Sequence, residues 1–250
     1  LVVRLRAHPE VPAHLADLSG VPELKGVGRV RTPGGEALEI GAMTTFSELE
    51  GHPEVLRWAP ALTQAAASVG SAQIRNLGTL GGNVANASPA ADSLPVLACL
   101  EASTLVEGTD GRGGWRPLEA LIAAPGRTAL RPGEYLRAFR IPLRPGSWSA
   151  FRKLGSRRAV SISRINLALR VGPEGSRLFL GALGALPIRC PEGERALGLP
   201  PGPGREAALL EALTRTVDSA IPGRSSRAYK RQAVRGLGAD LLADLEGAGR

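Results

Sequence analysis

The stretch Gly78-Thr79-Leu80-Gly81-Gly82-Asn83 combines backbone freedom with side chains that can hydrogen-bond. Glycine has no Cβ, so a main chain built from it can turn tightly and come close to a ligand. Consecutive N–H groups in such a turn line a concavity suited to an anion such as pyrophosphate. Thr79 and Asn83 add side-chain donors and acceptors, and Arg75 supplies positive charge nearby. As a bare dipeptide, Gly81-Gly82 is a turn signal between two apolar segments. The stretch has neither the Gly-Lys-Ser/Thr of a P-loop nor a G-x-G-x-x-G opening a βαβ unit. Asp92 follows as a second candidate. Its carboxylate can accept from ligand hydroxyls, or it can cap the helix predicted from Ser93 to Glu101.

The elements that must position these residues are partly legible. Val27 to Arg31 and Ala37 to Gly41 read as a hairpin around Thr32-Pro33-Gly34-Gly35. Thr45-Phe46-Ser47-Glu48 fits a capping box opening a short helix. Pro60 to Val69 reads as a helix, with Pro in its first turn and Gly70 beyond its end; it delivers the chain toward the glycine turn. His14 to Leu18 and Thr104 to Glu107 read as strands. Gly108 to Gly114 reads as a loop and Pro117 to Ile122 as a short helix. Arg144-Pro145-Gly146-Ser147 is the candidate domain boundary. Beyond it, Ile165, Leu167, Leu169 and Val171 alternate with Asn166, Ala168 and Arg170, the pattern of a half-buried strand, with Leu178 to Gly181 as its partner. A Pro/Gly-rich link from Pro187 to Gly204 leads to a helix from Arg205 to Ser219, with Leu209, Leu210, Leu213 and Val217 on one face. A last helix begins near Ser225; Gly236 and Gly238 inside it predict a frayed or broken element.

Composition narrows the function classes. The chain has 250 residues and a formal charge of +8, carried mostly by arginine. The arginines are dispersed, and few aromatics accompany them for base stacking, so attraction for an anionic cofactor or an acidic partner accounts for the charge as well as nucleic acid does. Cys99 and Cys190 lie far apart with no C-x-x-C, which argues against a disulfide framework or a cysteine-bound cluster. His8, His14 and His52 lack metal-ligand spacing. Arg157 and Arg158 read as solvated loop charges. No apolar run is long enough to span a membrane, and the cytoplasm is the expected compartment.

Gln73 to Asn83, continued by Ala87 to Pro95, resembles the second flavin-binding segment in the FAD subunits of molybdenum hydroxylases. This is the xanthine dehydrogenase and carbon monoxide dehydrogenase flavoprotein family. The resemblance implies that Thr79, Gly81, Gly82 and Asn83 lie on the FAD pyrophosphate and that Asp92 holds a hydroxyl-bearing part of the cofactor. Leu130 to Pro142 is similar to the strand leading out of the flavin domain, which places Leu136 at an apolar contact to the flavin; the alternative is a core strand residue. Ser149 to Arg158 resembles the start of the family's second domain. There Lys153 falls close to the flavin ring, where a cation favours the anionic reduced form; the alternative is a snorkelling surface lysine.

The implied fold is α+β. Residues 1–145 form an FAD-binding domain of the PCMH-like type without its first N-terminal subdomain, and residues 146–250 form a small antiparallel sheet with helices. Leu1-Val2-Val3-Arg4-Leu5-Arg6 has the spacing of a helix already under way. Relatives carry an earlier Gly-Gly-Thr-type loop, also on the pyrophosphate, just before a helix of this kind; that loop and the strands before it are absent from this sequence. The implied role is an electron-transfer subunit whose partners are a molybdopterin-binding large subunit and a 2Fe–2S small subunit, with NAD or another acceptor receiving the electrons. No catalytic or metal-ligating side chain is expected in this chain. Two other classes stay open on the residues alone: an FAD-free structural or interaction module of the same family, and a basic nucleic-acid-binding protein.

Overall fold

The structure, a computed structural model, describes residues 15–157 and 160–248. Leu1 to Arg6, His8, His14 and Arg158 lie outside the described residues, so the helical spacing read at the start of the chain does too. Leu15 to Leu18 has no regular structure, and both leucines are exposed. The segment therefore buries no face of the kind that holds a strand in place.

Among the described residues the first sheet is antiparallel, with strand order β1-β2-β7-β3-β4. The turn at Pro33-Gly34 joins β1 (Val27–Thr32) to β2 (Gly35–Gly41), as the turn residues predict. β3 (Ser103–Gly108) and β4 (Gly113–Pro117) form a hairpin, so the stretch read as a loop from Gly108 to Gly114 ends in a strand. α7 (Leu118–Leu121) and the small ribbon of β5 (Ile122–Ala124) and β6 (Arg127–Thr128) follow. β7 (Glu134–Pro142) returns between β2 and β3, with Gly41 opposite Ala138 and Val106 opposite Leu136.

Helices from the middle of the chain cover the site side. α1 (Phe46–Gly51) opens on a capping box: the Thr45 side chain accepts from Glu48 N–H, and the Glu48 carboxylate accepts from Thr45 N–H. His52 caps α2 (Pro53–Trp58). α3 (Pro60–Ser68) is alanine-rich on its buried face. α4 (Ala72–Leu77), α5 (Leu80–Asn86) and α6 (Ser93–Cys99) follow in quick succession.

The second sheet runs β11-β10-β9-β8, from β8 (Trp148–Gly155), β9 (Ser163–Gly172), β10 (Gly175–Gly181) and β11 (Ile188–Arg189). β9 is buried along almost its whole length, not half-buried. Its alternation sorts residues between two cores. Ile165, Leu167 and Leu169 join a core with α8 (Pro191–Leu197), α9 (Pro203–Ala220) and α10 (Arg227–Ala248), while Ala168 joins Phe151 and Phe179 in the core that holds α3 and α6. The stretch read as a link from Pro187 to Gly204 thus contains β11 and α8. α10 is continuous through Gly236 and Gly238. A Cβ on Gly238 would lie 2.5 Å from Leu213 Cδ1, so this glycine lets α10 pack closely on α9.

Candidate functional site

The glycine stretch is not an open turn. Thr79 caps α5, its hydroxyl oxygen accepting from Gly82 N–H at 3.1 Å, and the helix begins at Leu80. Leu80 N–H donates to Thr44 O (3.0 Å), Gly81 N–H to Ala42 O (2.8 Å) and Asn83 N–H to Thr79 O (3.0 Å). The expectation that amides across residues 78–83 stay bare for a diphosphate is therefore corrected: those of Leu80 to Asn83 are spent inside the protein. The segment forms a shelf. Ala42, which receives Gly81, donates in turn to Arg137 O of β7 at 2.9 Å. Gly81 is buried beneath this shelf, because a Cβ there would lie 2.7 Å from Ala42 Cβ and from Ala42 O. Gly82 is exposed, and a Cβ built on it would meet only Thr79 Oγ1, at 2.9 Å. The outer face at Gly82 is thus left clear by the missing side chain, with the Thr79 hydroxyl beside it.

The shelf is tied to Asp92. Ser93 donates its hydroxyl to Asn83 Oδ1 at 2.6 Å, which leaves the Asn83 amide N–H2 to donate elsewhere. Asp92 makes no side-chain cap to α6. It is 6% exposed and is held by residues of the second sheet. Lys153 Nζ donates to its Oδ2 at 2.7 Å, and Ser163 Oγ (2.5 Å) and Asn166 Nδ2 (2.9 Å) donate to its Oδ1. Ser68 Oγ is 3.3 Å from Oδ2 but 2.7 Å from Ala65 O. A hydroxyl has one hydrogen; the shorter contact claims it, so Oδ2 keeps an acceptor site for a ligand hydroxyl.

Lys153 is neither snorkelling nor free. Its ammonium donates to Ser68 O (2.8 Å), Asp92 Oδ2 (2.7 Å) and Ser161 O (3.2 Å), which accounts for all of its N–H groups. Here it pins Asp92 and the segment after β8, and Asp92 balances its charge. Leu136 is 6% exposed in the first core, on the strand that carries the shelf. Hydrogen bonds link Thr79, Gly82 and Asn83 to Ser93, whose chain neighbour Asp92 is bonded to Lys153; Gly81 and Leu136 are buried in the interior. Ser163 and Asn166 were not singled out in the sequence. The available signal was Asn166, an amide among aliphatics in a strand, since buried polar groups need partners.

The cysteines stand apart from this run. Burial pushes the Cys99 thiol up to about 12 and raises Cys190. Both stay protonated near neutral pH and are unreactive for that reason. Among the described residues no cluster of His, Cys, Asp and Glu has the makings of a metal site, and no helix is long and apolar enough to cross a membrane.

The donor set suits a cofactor with phosphates and hydroxyls. It has a clear backbone face flanked by hydroxyl and amide donors, then a buried carboxylate with an acceptor site to spare. Comparison with known proteins agrees. Residues 1–144 match the family model described as the FAD binding domain in molybdopterin dehydrogenase. The chain is 33% identical to the nicotinate dehydrogenase FAD-subunit of Eubacterium barkeri, over 99% of this chain and 87% of the relative. It is 30% identical to the putative xanthine dehydrogenase FAD-binding subunit of Escherichia coli K12, over 90% and 77%. Its fold superimposes on a chain of carbon monoxide dehydrogenase from Hydrogenophaga pseudoflava with a TM-score of 0.81 and 25% identity, over 95% of this chain and 83% of that one. Sequence and fold together place the chain in the FAD-binding family of the molybdopterin dehydrogenases, oxidoreductase components whose cofactor is FAD.

Proposed function

We propose that this chain is the flavin-carrying, electron-transfer subunit of a molybdenum hydroxylase complex. It would stand between a 2Fe–2S subunit, supplied with electrons by a molybdopterin-binding large subunit, and NAD or another acceptor. When bound, FAD supplies the step between one- and two-electron carriers; the protein contributes position and electrostatics. The observation that carries this reading is the clear face at Gly82, linked through Asn83 and Ser93 to the partly satisfied carboxylate of Asp92.

On this reading the Thr79 hydroxyl and the Asn83 amide donate to the cofactor's pyrophosphate at the Gly82 face. Asp92 Oδ2 accepts from a hydroxyl of the ribityl or sugar portion. Lys153 acts through Asp92: with every N–H engaged, it fixes the carboxylate rotamer instead of bonding the ring. Gly81 keeps α5 seated on Ala42, and Leu136 supports the strand under the shelf. The relatives' names point the same way, since nicotinate, xanthine and carbon monoxide dehydrogenases each include an FAD subunit or medium chain of this kind.

The test is Gly82→Val, read by flavin absorbance of the purified protein. The new side chain fills the space of the phosphate, so FAD content should fall at least about tenfold, as expected when a site must shift to admit its ligand. Gly236→Val, at a helix position with open space around it, is the control and should leave FAD content unchanged. Equal flavin content in the two variants would sink the assignment.

A further inference from the structure

A cavity of about 540 Å3 opens on the far side of the Ser161–Ser163 segment, between that segment and the first turn of α10. Its lining includes Ser161, Arg164, Ser226, Tyr229 and Lys230. Lys230 is 8% exposed, and its ammonium donates to Ala182 O. An ammonium has three N–H groups, so two are left at the wall of the cavity. The charged neighbours that act on Lys230 are Arg224 and Arg164, both cations. Burial and these like charges together lower the lysine's pKa. Neither arginine enters a salt bridge among the described residues, unlike Arg116, Arg137 and Arg140, each of which meets a glutamate.

Lys230, Arg157 and Arg164 line this concavity with no carboxylate among its described lining residues, and a buried cation needs an anion or several acceptors to offset its desolvation. Hydroxyls at Ser161 and Ser226 can add hydrogen bonds to an anionic oxygen. Tyr229 is half exposed at the rim and offers a ring face on which a base can stack. The volume falls within the range of small-molecule sites.

We propose that this cavity is a second ligand site, separate from the flavin shelf, that binds a nucleotide: phosphate against Lys230 and Arg164, base against Tyr229. The two sites share a wall. Ser161 O receives Lys153 and the Ser163 hydroxyl goes to Asp92, while the same segment lines the cavity. A nucleotide bound here lies one chain segment away from the cofactor's carboxylate, the position of an acceptor or an effector.

The probes are ADP, inorganic pyrophosphate and adenosine, titrated calorimetrically into the protein as purified, with its flavin content recorded by absorbance. ADP should bind more tightly than either fragment, and more weakly as salt rises. Arg164→Gln, at an exposed position, should weaken ADP about tenfold, the scale of one charge-assisted hydrogen bond, and leave flavin content unchanged. Tyr229→Ala should bring ADP down to the affinity of pyrophosphate. The proposal is overturned if ADP does not bind, if Arg164→Gln leaves its affinity unchanged, or if ADP and FAD displace each other. The ADP titration and the flavin spectrum are separate readouts. A protein without flavin that still binds ADP through Arg164 would refute the shelf and keep this site.

Discussion

A methyl group added at Gly81 would sit 2.7 Å from both the side chain and the carbonyl oxygen of Ala42, whereas at Gly82 it would meet only the hydroxyl of Thr79. The two neighbours therefore answer to different demands, the first to packing and the second to what lies outside. Gly81→Ala should destabilise the fold by about 2 kcal/mol, the usual scale of overpacking a filled core. For a chain of this size that lowers the melting temperature by roughly 4–8 °C, which differential scanning fluorimetry can measure. A melting point within a degree of the parent would show that Ala42 yields easily, and the shelf would then be less rigid than its hydrogen bonds imply. The motif as a whole was readable at this scale from residue types. The split of labour inside it was not, because it depends on which face Ala42 occupies, far from Gly81 in the chain.

At the scale of elements, β8 carries the most consequential contact. Lys153 reaches across to Asp92 at the start of α6 with little solvent around either group. Replacing one partner of such a pair leaves the other charge buried and alone. Lys153→Met should therefore cost about 3 kcal/mol in urea unfolding, by the range for a broken buried pair. The double variant with Asp92→Asn should recover part of that loss; additive losses would mean that the two groups do not interact. The β1–β2 hairpin, the capping box before α1, and α3 were legible because each rests on a local rule: Pro33-Gly34 at a turn, Thr45 opposite Glu48, Pro60 at a first turn. α5 was not legible, because Gly81 and Gly82 carry low helix propensity and only its seat on Ala42 and Thr44 compensates. α10 was misread as broken for a related reason. Gly238 is poor helix material taken alone, yet Leu210 and Leu213 of α9 occupy the space where its side chain would be. β9 looked half-buried since alternation normally sorts core from solvent; here it sorts one core from another.

At the scale of the whole molecule, the second sheet serves two cores at once. Phe151, Ala168 and Phe179 turn toward α3 and α6, while Ile165, Leu167 and Leu169 turn toward α8, α9 and α10. Polar contacts cross the same boundary. Glu101, after α6, gathers Arg144, Arg170 and Arg177 from the linker, β9 and β10, and Ala61 N–H donates to Ser149 Oγ at 3.3 Å. The Arg144–Ser147 turn marks a change of sheet more plainly than a change of folding unit. Severing the chain there would bare aromatic rings on one piece and an uncovered alanine-lined helix on the other. Each half expressed alone should go to inclusion bodies, and the two produced in one cell should reassemble into a soluble pair that co-purifies from a tag on either. Halves that dissolve and melt cooperatively by themselves would argue for independent inheritance of the two modules. Joint rescue would mean that evolution can lengthen the linker freely but can exchange neither side without its counterpart.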